Sequence, residues 1–168
     1  HKIPCTGLRF FTVYGPYGRP DMAPMIFADS ILLNKPIKVF NFGNMKRDFT
    51  FVDDVIEVIY RCCYKIPVAS SEFDPKNPKP SISFAPHRIF NVGNNKPVLL
   101  MKFIEILEKN LQVKSKKEFM PMQPGDVKST ASCNYNLNDW VGFSPKVSIE
   151  EGTKLFSRWY LDFYKSKN

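Results

Sequence analysis

An arginine set just past the end of an apolar run is the feature of this chain best suited to binding chemistry. Residues Arg9 to Met22 read RFFTVYGPYGRPDM. The apolar run from Leu8 to Val13 stops abruptly at Tyr14-Gly15-Pro16-Tyr17-Gly18-Arg19-Pro20. This pattern predicts a strand buried on both faces, followed at once by a glycine-punctuated loop. In open α/β sheets, ligands bind outside the carboxyl ends of the strands, and the loop lies at such an end. A planar guanidinium delivered there matches a carboxylate in a two-point fork. An exposed loop arginine with only a packing role has the same spacing, so the residues alone leave both readings open.

Other chemistries lack their parts. The two histidines, His1 and His87, neighbour no cysteine or carboxylate cluster at ligand spacing. A zinc site or a Ser-His-Asp triad therefore has little to build with, and no metal is expected. The four cysteines, Cys5, Cys62, Cys63 and Cys133, include no Cys-x-x-Cys. Reduced thiols in a cytoplasmic protein are the expectation. No apolar run approaches the roughly 18 residues of a membrane span, so no membrane partner is expected. The sequence starts at His1 rather than Met, which leaves a targeting segment upstream open.

The formal charge of +8 fits nucleic acid, a polyanionic small molecule such as a sugar diphosphate, or a solvated lysine surface. Lysines outnumber arginines, and it is arginine that shapes a bidentate phosphate site. No basic run interleaved with aromatics supports base stacking, so nucleic acid is not the expected partner. With 168 residues, 43% hydrophobic and 15 of them Phe, the chain is one domain's worth or a little more, with a real core.

The elements that must position these residues interleave as α/β. A helix is predicted over Ala23–Leu33, stopped by Asn34-Lys35-Pro36, and a strand over Ile37–Phe42. Asp48–Val52 is extended, and Asp53-Asp54 then cap a helix over Val55–Tyr64. Lys65 to His87 contains five prolines and no period, a long surface loop. Arg88–Val92 reads as a strand closed by Gly93-Asn94-Asn95, and Val98–Leu111 as an amphipathic helix. Lys116–Met122 is extended and Leu137–Val141 is a short helix ended by Gly142. Ser148-x-x-Glu151 is a capping box opening a last helix, with Phe156, Trp159, Tyr160 and Phe163 as its apolar stripe.

The loop Arg9–Met22, the element Val39-Phe40-Asn41-Phe42-Gly43 with Arg47-Asp48-Phe49, the turn Met122-Gln123-Pro124-Gly125-Asp126 and the helix start Val52-Asp53-Asp54-Val55 come in a telling order. Together they resemble the NAD-dependent nucleotide-sugar epimerases of the extended short-chain dehydrogenase/reductase family. The Gly-Arg-Pro-Asp-Met ending looks most like the UDP-glucuronate 4-epimerase branch. The resemblance implies an α/β fold, the C-terminal part of an extended Rossmann-type enzyme, with a small mixed sheet and helices forming the substrate-binding domain over residues 1–168. Residues 1–22 would be the last Rossmann strand and substrate loop, and 66–88 a Pro-rich loop.

What the resemblance implies for the site is specific. Thr12 and Arg19 face the sugar, Arg19 its carboxylate. The backbone near Phe40 reads the uracil edge, Arg47 grips the diphosphate and Asp126 holds ribose hydroxyls. Phe10 and Val13 lie near the nicotinamide of NAD. Gln123 stands where galactose-epimerase relatives carry a second arginine, and a plain turn explains Pro124-Gly125-Asp126 almost as well. The family's Gly-x-x-Gly-x-x-Gly loop and Tyr-x-x-x-Lys pair are absent from these residues, so no catalytic residue is expected in this chain and it should be inactive alone. The implied parent is a homodimeric isomerase acting on UDP-glucuronate and UDP-galacturonate. Another epimerase, dehydratase or decarboxylase of the family, or a non-catalytic sugar-nucleotide-binding module, stays open.

Overall fold

The computed structural model describes residues 2–165; His1 and residues 166–168 lie outside the described residues. The apolar run that opens the chain divides at Phe11 into β1 (Cys5–Phe10) and β2 (Thr12–Tyr14). The break lets the two halves take different partners, β1 with β6 (His87–Val92) and β2 with β5 (Phe49–Phe51), both parallel. The predicted burial of this segment on both faces does not hold. Within the described sheet β1 is paired along one edge only, and Phe10 is 49% exposed.

A third parallel pair joins β3 (Pro36–Val39) to β8 (Lys116–Phe119), and β4 (Lys46–Arg47) pairs antiparallel with β7 (Val98–Leu99). Helices α1 (Ala23–Leu32), α2 (Val52–Tyr64), α3 (Leu100–Leu111), α4 (Tyr135–Val141) and α5 (Ile149–Lys165) alternate with the strands. The result is the mixed α/β arrangement expected from the interleaving. Residues 66–81 and 83–86 enter no strand or helix, and Ile82 makes an isolated bridge to Arg88.

Three local predictions are corrected. The strand expected to reach Phe42 ends at Val39, because Asn41 (φ 48°) and Phe42 (φ 50°) take left-handed backbone angles and curl Phe40–Gly43 into a 3-10 turn. Phe40 therefore sits in a turn, not a strand. The helix expected from Val98 starts at Leu100, since Val98 and Leu99 are drawn into pairing with Arg47 and Lys46. Asp53 and Asp54 fall inside the first turn of α2 with no side-chain cap; the buried Asp54 instead accepts the N–H groups of Lys146 and Val147 at 2.9 Å each. The capping serine of the last helix is as expected, with Ser148 Oγ accepting the N–H of Glu151 at 3.1 Å.

The larger core lies among α1, α3, α5 and the β2–β5 pair, where Tyr14 meets Phe49, Phe51 and Phe103 edge-on at 5.6–6.3 Å. A smaller one joins α2, β6 and α4 through Val55, Val58, Phe90, Val92, Leu137 and Val141. Gly152 on α5 is what admits Tyr14. A methyl built there would stand 2.1 Å from the Tyr14 hydroxyl oxygen and 2.9 Å from the Phe51 ring. Gly→Ala in a helix ordinarily stabilises by about 0.5–1 kcal/mol. Gly152→Ala is expected to do the reverse and cost about 1–3 kcal/mol through overpacking, read as a lowered chemical-denaturation midpoint.

Glu108 is the buried carboxylate that fastens the end of α3 to β8. It accepts bonds from Lys114, Lys117, the Ser115 hydroxyl and the Ser115 N–H. Burial alone would raise its carboxyl, but the bonds from Lys117, Ser115 and Lys114 outweigh that and hold it at about 2 against the ordinary 4.5. A depressed folded value contributes stability that is fully present above the unfolded carboxylate range and lost as pH falls toward the folded one. Stability is therefore expected to drop between about pH 5 and pH 2, and Glu108→Gln to cost about 1.5–3 kcal/mol at pH 7 while flattening that slope. Urea unfolding at stepped pH reads both.

Candidate functional site

The starts of β2 and β5, at Thr12 and Phe49, and the turn after β3 open onto one hollow of about 600 Å³. Its floor is apolar, from Phe27, Ile37, Met45, Phe49 and Leu100, and its rim carries Thr12, Phe40, Arg47 and Asp126. Four of the five residues predicted to hold substrate are thus brought together. Arg47 leaves the short strand β4 half-buried and donates from Nη2 to Asp126 Oδ1 at 2.7 Å. Its Nη1 donates to the Lys46 carbonyl at 2.9 Å. The other N–H groups of its fork are open to an anion entering the hollow.

Asp126 is delivered by the predicted turn: its N–H bonds the Gln123 carbonyl at 3.2 Å, and Gly125 takes φ 81°. The chain leaving this turn is sewn alongside β4. Lys46 N–H donates to the Lys128 carbonyl at 2.9 Å, Thr130 N–H to the Lys46 carbonyl at 3.2 Å, and Asp48 N–H to Thr130 Oγ1 at 3.2 Å.

Arg19 lies elsewhere. It lines a second hollow of about 400 Å³ with Phe10, Val13, Gly15, Tyr17 and Val52, so the two residues predicted near the cofactor share a space with it. Its Nε and Nη2 donate to the two carboxylate oxygens of Asp21 at 3.0 and 2.8 Å, and both side chains are exposed. The bonds from Arg19 hold the Asp21 carboxyl below its ordinary value. Arg19 and Arg47 thus open on different hollows in this structure. Met22 borders both, and Asp21 lines the larger one.

The loop carrying Arg19 is anchored through Tyr17, whose ring meets Trp159 at 5.2 Å and Phe163 at 6.0 Å on α5. Tyr17 takes φ 59°, a backbone conformation that residues other than glycine rarely adopt. Burial pushes the phenol of Tyr14, at the root of the loop, above its ordinary value of 10.0. Among the described residues no cluster of His, Cys, Asp or Glu could hold a metal ion, and Cys5, Cys62, Cys63 and Cys133 are all free thiols.

Sequence reasoning missed Lys38, Asp21 and Met22 in the lining, and above all Asp48 behind it. Asp48 is fully buried and accepts the N–H groups of Asn94 and Asn95 at 3.1 Å and of Ser132 at 2.8 Å. An acidic residue beside an arginine and ahead of the apolar Phe49-Thr50-Phe51 was the available signal. Gly93 is shaped around this group: a methyl there would lie 2.4 Å from Ser132 Oγ and 2.7 Å from Asp48 Oδ2.

Strands and helices alternate around this hollow, and the guanidinium of Arg47 at its rim suits it to an anion. Residues 1–70 match the NAD dependent epimerase/dehydratase family. The chain is 45% identical to Protein CapI of Staphylococcus aureus, covering 98% of this chain and 49% of that one. It is 41% identical to UDP-glucuronate 4-epimerase 1 of Arabidopsis thaliana, covering 98% of this chain and 38% of that one. A crystal structure of UDP-glucuronic acid 4-epimerase from Bacillus cereus with UDP-glucuronic acid and NAD superposes with a TM-score of 0.78 at 29% identity, over 96% of this chain and 46% of that one. Residues 1–70 are thus similar to the NAD dependent epimerase/dehydratase family, and nearly the whole chain is similar to part of these larger relatives. It spans about half the length, or less, of the relatives it matches.

Gly93→Ala is expected to cost about 2–4 kcal/mol, because the added methyl meets a buried carboxylate and hydroxyl that cannot retreat. Thermal unfolding of the variant checks it, with Gly125→Ala as the comparison; nothing lies within 4 Å of a methyl at Gly125, and only its φ of +81° is strained.

Proposed function

We propose that this chain is the UDP-sugar-holding part of an NAD-dependent UDP-glucuronate 4-epimerase. The observation that carries the reading is the single hollow in which Thr12, Phe40, Arg47 and Asp126 meet. Arg47 grips the diphosphate, Asp126 accepts from the ribose hydroxyls, and the turn at Phe40 lies against the uracil edge. Thr12 stands at the sugar end of the same space. Arg19 takes the sugar carboxylate, which requires its fork to exchange the carboxylate of Asp21 for that of the guest. The two acceptors are chemically alike and the existing pair is exposed, so the exchange is nearly balanced.

The hollow bounded by Phe10 and Val13 fits the edge of a nicotinamide, and no glycine-rich loop for a pyrophosphate exists in these residues. NAD, held mainly by the other half of the full protein, would supply hydride transfer at C4 of the sugar when bound. The residues of this chain bind and orient the sugar nucleotide and give it an apolar floor that excludes water. None of them transfers the proton, and the chain by itself is inactive. Residues 1–22 form the last strand of the nucleotide-binding half with its substrate loop. The full protein acts as a homodimer in the cytoplasm, in keeping with four free thiols. Among the described residues no helix is long and apolar enough to cross a membrane.

Calorimetric titration of the chain with UDP, UDP-glucuronate and UDP-glucose tests the reading. Arg47→Gln is expected to weaken UDP roughly 10–100-fold, corresponding to about 1.5–3 kcal/mol for charge-assisted bonds. Arg19→Ala is expected to weaken UDP-glucuronate alone. A folded wild-type chain that ignores UDP overturns the proposal, and equal binding of both sugars surviving Arg19→Ala moves it to a sibling reaction of the family.

A further inference from the structure

We infer that Asp48 is a positioning residue for the anion grip, acting through Arg47 and Asp126 without touching the guest; the inference rests on the binding role proposed for the large hollow. Neighbouring residues of an extended chain point to opposite sides. Arg47 accordingly faces the hollow, and Asp48 turns inward and is fully buried. There it forms no ion pair among the described residues. Its oxygens accept backbone N–H groups from two separate loops, Asn94 and Asn95 after β6, and Ser132 beyond the Asp126 turn.

A buried carboxylate is tolerated only when its oxygens are bonded, so the group dictates where both loops lie. The Ser132 bond closes the far end of the segment that begins at Asp126. The intervening residues are tied to β4 by the Lys46–Lys128, Thr130–Lys46 and Asp48–Thr130 bonds. Arg47 and Asp126 face each other at 2.7 Å because both ends of this seam are pinned. An asparagine has one acceptor oxygen where Asp48 has two, so Asp48→Asn must forfeit at least one backbone bond and set an NH₂ group against N–H donors. The Ser132 bond is among those at stake, and its loss frees the far end of the segment that carries Asp126.

The test combines UDP titration with a mutant cycle. Asp48→Asn is expected to weaken UDP about tenfold in the wild-type background but less than about twofold in Arg47→Gln, because the grip it positions is already gone. A loss of the same size in both backgrounds overturns the inference, as does a lowered melting temperature with unchanged affinity. Thr130→Val, which removes the acceptor of the Asp48 N–H, is the milder variant should Asp48→Asn not fold; about threefold weakening with the same dependence on Arg47 is expected. Amide hydrogen exchange supplies a ligand-free readout. In Asp48→Asn or Thr130→Val, the amides of Lys46 and Thr130 should exchange faster while those of α3 keep their protection, and uniform loosening overturns the inference. Should the wild-type chain not bind UDP at all, the functional reading fails, and exchange alone then decides whether Asp48 fixes the Asp126 segment.

Discussion

The fold around the site is organised by one carboxylate placed where water cannot reach it. Burying a charge without partners is prohibitive, and Asp48 meets that constraint with backbone donors. Backbone N–H groups cannot move without their chains. Satisfying this one side chain therefore fixes two connections that have no regular structure of their own. The same constraint explains why the turn after β6 begins with Gly93, where any side chain would meet Ser132 and Asp48.

From that fixed point the site is assembled outward. The seam between β4 and residues 128–130 holds the Pro124-Gly125-Asp126 turn over the hollow. The pairing of β4 with β7 starts α3, whose Leu100 forms part of the floor. Glu108, near the other end of α3, fastens β8, and β8 supports β3 and the Phe40 turn. Polar groups buried at the ends of elements thus set the walls, and aromatic packing among Tyr14, Phe49, Phe51 and Phe103 fills the space behind them.

Much of this was legible in the residues. The periodicity of Ala23–Leu32, the apolar stripe with Phe156 and Tyr160, and the serine cap at Ser148 are local signals, and each element formed within a residue or two of its prediction. Thr12, Phe40, Arg47 and Asp126 were legible through the family pattern, and they share a hollow. What was not legible depends on distance along the chain. The partners of Asp48 lie 46 and 84 residues away, so no window of sequence reveals them. The left-handed angles of Asn41 and Phe42 are imposed by the approach of residue 120, whose carbonyl accepts the Phe42 N–H at 3.0 Å, against the preference of a bulky residue. The pairing of Arg19 with Asp21, two residues on, and its place at the neighbouring hollow were likewise not read from the sequence.

The fit of Tyr14 against Gly152 has a mechanical meaning. The phenol occupies a notch one residue wide, so α5 can neither rotate nor slide along its axis without driving a Cβ into it. About two turns further along, Trp159 receives Tyr17 from the loop that follows Tyr14. The final helix is in this way keyed to the opening strand at two teeth, and the carboxy-terminal segment becomes the jig that sets the pitch of a loop near the amino terminus.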